Sequence, residues 1–318
     1  MKKLILGALS LVLLYACTVD YPVDDLSDGI AKQIIVNGYL IAEQPVAIHL
    51  YRHTGGKYGK VSGLTQAHVL LKEDGQILFD DICGDSIFTL EHKPRAGAKY
   101  EIEVAATGYE TVKAATSIPH PIVCEVDFTA GEKDYSRSDD LVTLNKFSYN
   151  SFANPALWII SQMISEEDEV EQYNEIYVDN VFVDKTNSFG GMGAPNEVVG
   201  GMYHEGYLRV KSRYVQHLTE LIFTPTNAIY WGDEGMSSPQ NRIRIELVAA
   251  GPEFDKYNKS LYEQKSMIVY DEDISSIFYQ PKSVYSNIEN GAGIFAGISK
   301  TVFVFDYPVY KNNYPWND

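Results

Sequence analysis

The side chains that could carry acid–base or metal chemistry are seven histidines and a few acidic runs. His49 and His53 stand four residues apart, but on a strand-like segment this spacing lacks the shared helical face that a metal-binding pair needs. The acidic runs at 166–169 and 271–273 lack the alternating oxygen ligands and the glycine turn of a calcium loop. We therefore expect solvated acidic loops and hydrogen-bonded histidines, with no bound metal ion and no cofactor.

A glycine-rich run at 291–297 superficially resembles a dinucleotide-binding fingerprint. That fingerprint opens a helix, whereas this run leads into the β-type residues 298–305, so the glycines predict close backbone packing or a bulge in a strand. The sequence has no Walker loop, no Gly-x-Ser-x-Gly elbow and no His-Glu-x-x-His pair, and no catalytic residue is assigned. A hydrolase that acts on extracellular polymers through carboxylates such as Glu166 or Asp233 remains an alternative. The two carboxylates of a catalytic pair can be distant in sequence and adjacent in space, so the sequence does not exclude one.

Aromatic residues in segments that resemble loops are the remaining candidates for binding. Tyr203 and His204 close a long segment, 187–205, that contains five glycines, and Tyr230 and Trp231 lie in a turn-like segment. Long loops in compact domains are usually functional, and amphipathic rings suit contact with a partner or a sugar. We predict a ligand or partner surface that contains Tyr203, His204, Tyr230 and Trp231.

The composition of the 318 residues is that of an acidic globular protein. Hydrophobic residues make up 45% and charged residues 22%, while 26 basic side chains face 43 acidic ones, for a formal charge of −17. A surface this acidic repels phosphate backbones, so we expect no nucleic-acid partner. Cys83 and Cys124 could be free thiols or a disulfide, and their spacing does not decide between the two.

The first 31 residues are interpreted as an export signal and a tether. Lys2 and Lys3 precede eleven mostly apolar residues, 4–14, which as a helix would rise about 16 Å and so cannot cross a bilayer core. The signal ends in Leu-Tyr-Ala-Cys17, which resembles a bacterial lipobox. We predict a signal peptide at 1–16, a lipidated Cys17 and an acidic tether at 17–31; the alternative is an ordinary secretory cleavage with Cys17 incidental.

The mature chain is predicted to be mainly β. Short alternating apolar segments with turns between them, including an Asp74-Gly75 hairpin signal, indicate a β-sandwich over 32–119, ended by Pro119 and Pro121. Residues 120–318 read as a larger β-rich domain whose strand candidates include 207–214 and 267–270. One amphipathic helix beginning near Pro252 interrupts these strands, and we expect one or two short helices in total.

Three stretches together resemble a known family. They are Ile-Ile-Val-Asn-Gly-Tyr-Leu at 34–40, Ala-Lys-Tyr-Glu-Ile-Glu-Val at 98–104 with Thr-Ser-Ile-Pro at 116–119, and Tyr-Ser-Asn-Ile-Glu-Asn-Gly-Ala-Gly-Ile-Phe-Ala-Gly at 285–297. The chain looks like the Bacteroidetes-type lipoproteins of domain-of-unknown-function family 4249. This resemblance implies an outer-membrane lipoprotein with an immunoglobulin- or transthyretin-like first domain, commonly encoded beside TonB-dependent receptors, and it supplies no catalytic residues.

From these observations we expect a lipid-anchored outer-membrane or cell-surface protein. Its predicted role is a non-enzymatic ligand-binding or accessory partner of a TonB-dependent transporter. The alternatives are the extracellular polymer hydrolase already mentioned and an adhesion or structural surface module.

Overall fold

A computed structural model describes most of the chain after the predicted tether. The described residues are 31–56, 59–130, 133–134, 137–138, 140–148, 155–165, 167–189, 201–226, 242–268 and 283–306. Within them the protein is mainly β, with two helices. The predicted signal peptide, Cys17, Glu166, Tyr230, Trp231 and Asp233 lie outside the described residues.

The first half of the described chain contains eight strands: β1 (Gln33–Ile41), β2 (Val46–His53), β3 (Val61–Gly63), β4 (Ala67–Glu73), β5 (Gln76–Cys83), β6 (Ile87–Leu90), β7 (Lys99–Ala105) and β8 (Val112–Ser117).

The second half adds ten strands before its first helix: β9 (Val123–Thr129), β10 (Lys133–Asp134), β11 (Arg137–Ser138), β12 (Leu141–Ser148), β13 (Ala156–Ile164), β14 (Val170–Tyr173), β15 (Glu175–Val178), β16 (Ser188–Phe189), β17 (Met202–Glu205) and β18 (Tyr207–Val210). The remaining elements are α1 (Ser212–Val215), β19 (Glu220–Thr226), β20 (Arg242–Ala250), α2 (Pro252–Ile268) and β21 (Ala292–Asp306).

Three large sheets and one two-stranded ribbon, β10–β11, organise these strands. The nine-stranded sheet has the order β14-β13-β20-β21-β1-β2-β3, with β18 also on β13 and β6 also on β2. The four-stranded sheet is β5-β4-β7-β8, and the six-stranded sheet is β16-β17-β15-β19-β12-β9. One of the sheets curls into a half-barrel. The nine-stranded sheet therefore takes strands from both predicted domains, and the boundary at residue 119 stays a prediction.

Two buried clusters lie between the sheets. The first joins residues of β1 and β2 to residues of the four-stranded sheet, for example Val36 and Ile48 with Val69 and Ile102. The second joins β13 and β20 to the six-stranded sheet. Alternate residues of β1 are buried, as the period of two in a strand requires.

The predicted hairpin turn and helix start are both present in the structure. Asp74 and Gly75 have φ angles of 47° and 80° and connect β4 to β5, which is the backbone that a two-residue hairpin requires. The predicted helix begins at Pro252, whose missing N–H is harmless in a first turn. The strand predicted at 267–270 is wrong at Met267 and Ile268, which extend α2 because nothing interrupts the helix before them. The strand predicted at 207–214 ends at Val210, and α1 follows it.

The glycine-rich run leads into β21, and close packing of its backbone explains why it is rich in glycine. β21 pairs in parallel with β1, from Ile35 opposite Ala292 to Ile41 opposite Ile298. A Cβ on Gly293, where φ is +105°, would stand 2.1 Å from the carbonyl oxygen of Val36. The prediction of close backbone approach within a strand is confirmed.

Two further features concern the cysteines and the membrane. Cys83 and Cys124 are both buried free thiols, which decides the alternative that the spacing left open. Burial raises the pKa of the Cys124 thiol to about 11. Neither helix of the described residues combines the length and apolar character needed to span a bilayer.

Candidate ligand-binding cleft

A cleft of about 560 Å³ opens where α2 begins. This volume lies in the range of about 300–1,000 Å³ that is usual for small-molecule sites. The wall from the first half of the chain contains the end of β8 and the residues after it, and the opposite wall contains the end of β20 and the first turn of α2. The starts of β13 and α1 complete the lining, so the cleft lies between the two halves of the molecule.

The lining combines apolar surface with several different polar groups. Apolar surface comes from Ile118, Pro119, Pro155, Ala156 and Pro252. The polar side chains are those of Ser117, His120, Ser212, Asp255 and Lys256. Together they offer hydroxyl, imidazole, carboxylate and ammonium groups, so the cleft can both donate and accept hydrogen bonds.

A glycine makes room for the imidazole on the first wall. Gly97 has a φ of +86°, and a Cβ at this position would stand 2.9 Å from Nε2 of His120. The N–H of Gly97 donates to the carbonyl oxygen of Ile118 at 2.7 Å, which holds the two segments together. The position of His120 in the cleft therefore depends on a residue without a side chain at 97.

Gly297 of β21 joins elements that carry the two walls of the cleft. The N–H of Gly251, just before α2, donates to the carbonyl oxygen of Gly297 at 3.2 Å. The N–H of Gly297 donates to Oγ1 of Thr116 at 2.9 Å, and this hydroxyl donates to Oε2 of Glu253 at 3.2 Å. On the other side, Oγ of Ser299 donates to the carbonyl oxygen of Pro119 at 2.5 Å. Both walls are thus fixed to one strand.

A buried ionic network supports the second wall. Nε of Arg209 donates to Oδ1 of Asp255 at 2.6 Å, and its Nη2 donates to Oδ2 of the same carboxylate at 2.5 Å. Nε1 of Trp158 also donates to Asp255 Oδ1, at 2.9 Å, and the guanidinium forms a further ion pair with Asp184. The Arg209 side chain is only 7% exposed, so this charge is desolvated and its bidentate pairing is what makes its burial tolerable.

The pKa values of the network follow from this pairing. Burial lowers the pKa of Arg209, but the hydrogen bonds and charge of Asp255 outweigh it, and the net shift is upward. Burial raises the pKa of Asp184, but the charges of Arg209 and Lys211 outweigh it, and the net shift is downward. Arg209 and Asp184 are therefore both charged near neutral pH.

Aromatic rings hold the rest of α2 against the sheet. Trp158 stacks on Tyr207 at a centroid distance of 4.8 Å and meets Phe254 edge-on at 5.9 Å. Tyr262 lies 4.2 Å from Tyr207, and Tyr39 of β1 lies 5.1 Å from Phe254. Burial, together with the nearby Tyr257, raises the pKa of Tyr39 to about 12. The wall that α2 forms is therefore a helix packed tightly against the sheet. Such a wall favours a preformed binding site over one built by a loop.

The predicted binding residues that the structure describes lie elsewhere, on β17. The Tyr203 ring packs against Tyr177 with centroids 5.0 Å apart, on the six-stranded sheet. His204 is 2% exposed, its Nδ1 lies 3.0 Å from Oδ1 of Asn187, and burial lowers its pKa to about 4. Neither residue lines the cleft. Their role in binding stays a prediction, although the enclosure of His204 leaves it little surface for a ligand.

The sequence contained partial signals for the residues that do line the cleft. The Pro-His-Pro at 119–121 marked a break after β8, and Gly251-Pro252 marked the start of a helix. Nothing in the sequence linked the two, because their contact depends on β21 lying between them. Among the residues that the structure describes, no group of three or more histidine, cysteine or acidic side chains is arranged to hold a metal ion.

The sheets and the cleft define a mainly β protein with a ligand-sized site between its two halves. The family model described as "Domain of unknown function (DUF4249)" matches residues 18–303, and the chain belongs to this family. No curated protein matches the chain. Among solved structures it is similar to the collagen-binding domain of the Erysipelothrix rhusiopathiae surface protein RspB, at 9% identity and a TM-score of 0.19, over 88% of this chain and 98% of that one. A likeness this slight carries no argument about fold or ligand.

Proposed function

We propose that this protein is a lipid-anchored outer-membrane or cell-surface protein that binds a ligand non-enzymatically on behalf of a TonB-dependent transporter. The observation that carries the proposal is the cleft of about 560 Å³ at the start of α2. Lipidation of Cys17 and the acidic tether at 17–31 would hold the cleft near the membrane.

The construction of the cleft favours binding. Its polar groups differ in kind, and apolar residues surround them, as in sites that orient a small molecule. Asp255 already accepts three hydrogen bonds, from Arg209 and Trp158, so its charge is compensated before any ligand arrives. Walls fixed in this way lose little conformational freedom on binding.

We also propose a Bacteroidetes-type lipoprotein signal at 1–16 and an immunoglobulin- or transthyretin-like sandwich at 32–119. The second assignment is supported by the core that β1 and β2 share with the four-stranded sheet.

Co-purification tests the partner and the anchor. The native lipoprotein is isolated from outer membranes in mild detergent, beside a Cys17→Ala variant that cannot be lipidated. We expect a TonB-dependent receptor to accompany the lipidated protein and to be lost with the variant. Isolation of the lipidated protein without a receptor would contradict the transporter role and favour a surface module of another kind.

A pair of tryptophan substitutions tests the cleft. Ser117→Trp places a large ring in the cleft from an exposed position on β8, and Ala115→Trp places the same ring at an exposed position outside it. We expect the first variant to abolish transporter-dependent ligand uptake and the second to retain it. If Tyr203→Ala abolishes uptake and Ser117→Trp does not, the binding site is the surface around β17 and the cleft assignment is wrong.

A further inference from the structure

We infer that β1 and β21 form a mechanical clamp, through which the protein resists force between its membrane tether and a molecule held in its cleft. This inference rests on the proposed anchoring and extends it, because a tethered receptor is pulled whenever its ligand or partner moves.

The tether enters at one end of β1. The predicted tether ends at residue 31, and β1 begins at Gln33. The strand has nine residues and spans about 30 Å at about 3.3 Å per residue. It lies inside the nine-stranded sheet, with β21 on one side and β2 on the other.

The cleft lies beside the other end of this strand. Leu40, near the end of β1, is the register partner of Gly297 in β21. Gly297 is also the residue whose carbonyl oxygen accepts from Gly251, which lines the cleft, and whose N–H donates to Thr116, next to the lining residue Ser117. A load applied between the tether and the cleft therefore runs along the axis of β1.

The pairing of β1 resists a load in this direction. β21 is parallel to β1 over seven register pairs, from Ile35 with Ala292 to Ile41 with Ile298. Because the tether pulls β1 backwards while the cleft end of β21 is pulled forwards, all seven pairs are loaded together. A hairpin pulled open at its end is instead loaded one pair at a time, so the same hydrogen bonds fail at a much lower force.

Side-chain contacts lock β21 in this register. The amide of Asn287 donates to the carbonyl oxygen of Phe295 at 2.7 Å and to that of Ala115 at 3.3 Å, and its oxygen accepts from the N–H of Phe295 at 3.0 Å. The Phe295 side chain is fully buried in the core between β1 and the four-stranded sheet. The backbones of Lys113 and Glu289 exchange a further pair of hydrogen bonds. Sliding of β21 along β1 would break the contacts to Ala115 and Lys113 on β8 and would displace Phe295 from the core.

Single-molecule force spectroscopy with two pairs of attachment points tests the clamp on the same protein. Lys32→Cys with Asp306→Cys applies force along β1 and β21, since Asp306 is the last residue of β21. Lys32→Cys with Thr54→Cys is the matched control, because Gln33 and His53 are register partners and the force then opens the β1–β2 pair from its end. Cys17→Ala, Cys83→Ala and Cys124→Ala in both proteins keep the attachment specific. We expect the first geometry to show a peak force several-fold above that of the second.

A second comparison tests the clamp with the attachment points unchanged. Asn287→Ala should lower the peak force along β1 and leave the β1–β2 opening force unchanged. The control Asn145→Ala removes a partly buried amide that donates to Asp127 on the six-stranded sheet, far from β1 in the strand order, and it should change neither force. Equal forces in the two geometries, or no effect of Asn287→Ala, would overturn the clamp. The measurement uses no ligand and no membrane, so its failure leaves the proposed binding function standing, and a failed co-purification leaves the clamp standing.

Discussion

Arg209 on β18 holds Asp255 in the first turn of α2 through two hydrogen bonds, one from Nε at 2.6 Å and one from Nη2 at 2.5 Å. The pair joins a strand to a helix 46 residues further along the chain and does so in the interior. Asp255 also lines the cleft, so this contact connects the stability of the fold to the shape of the candidate site.

Removing the guanidinium should therefore destabilise the protein strongly. Arg209→Met leaves the carboxylates of Asp184 and Asp255 buried without their main partner, and we expect a loss of about 3–5 kcal/mol in the free energy of unfolding. Urea denaturation followed by circular dichroism measures this loss. The control is Lys113→Met, which breaks an exposed ion pair with Glu103 and should leave the urea midpoint unchanged. Similar midpoints for the two variants would show that the network contributes little.

Acid should destabilise the protein through His204. Its pKa is about 4 in the fold because burial disfavours the imidazolium, against 6.5 as the ordinary value. Between these two pH values the unfolded chain binds more protons than the folded one, so stability is lost as pH falls through this window. The full loss is on the order of 3 kcal/mol.

Urea unfolding at several pH values between 7 and 4, on the native protein and on His204→Gln, measures this contribution. The native protein should lose more stability on acidification than the variant, which has no imidazole to protonate. A His204→Gln curve that falls with pH as steeply as the native curve would contradict the assignment.

The glycine at 293 should tolerate no side chain. Gly293→Ala places a Cβ 2.1 Å from the carbonyl oxygen of Val36 in a backbone with φ of +105°, so β21 must shift away from β1. We expect a loss of at least about 2 kcal/mol in the free energy of unfolding, because both the strain and the displaced pairing oppose folding. Thermal and urea unfolding measure it. Gly84→Ala is the control, since the atom nearest to its Cβ would lie 3.6 Å away, and a large loss there would show that the effect is not specific to β21.

The two buried cysteines should react slowly with alkylating reagents. Cys83 and Cys124 are each 9% exposed, and burial raises the pKa of Cys124 to about 11. Because only the thiolate reacts, native Cys124 should be modified by iodoacetamide about a hundredfold more slowly than a free thiol at the same pH. Mass spectrometry after timed labelling, with and without urea, gives the rates. Rapid labelling of Cys124 in the folded protein would refute its burial.

Local sequence patterns determined much of the secondary structure. Asp74-Gly75 predicted a hairpin because a two-residue turn needs positive φ angles, and the pair adopts them. Pro252 predicted a helix start for an equally local reason. The error at Met267 and Ile268 arose where a short apolar segment suits a strand or a helix equally well. The strand predicted at 207–214 was extended past Val210 into the mainly polar residues 211–214, where α1 begins.

The tertiary structure decided which segments meet. The glycine run at 291–297 predicted a close backbone approach, but its partner strand, β1, lies more than 250 residues earlier in the chain. Arg209 and Trp158 carry no motif, and they matter only because β13 and β18 pair beneath α2 and bring both to Asp255. The cleft likewise requires Ser117 and Gly251 to meet at Gly297. Turns and helix starts depend on the backbone preferences of adjacent residues, and these can be read along the chain. A site between two sheets depends on burying apolar faces that are distant in sequence, so only the folded chain determines it.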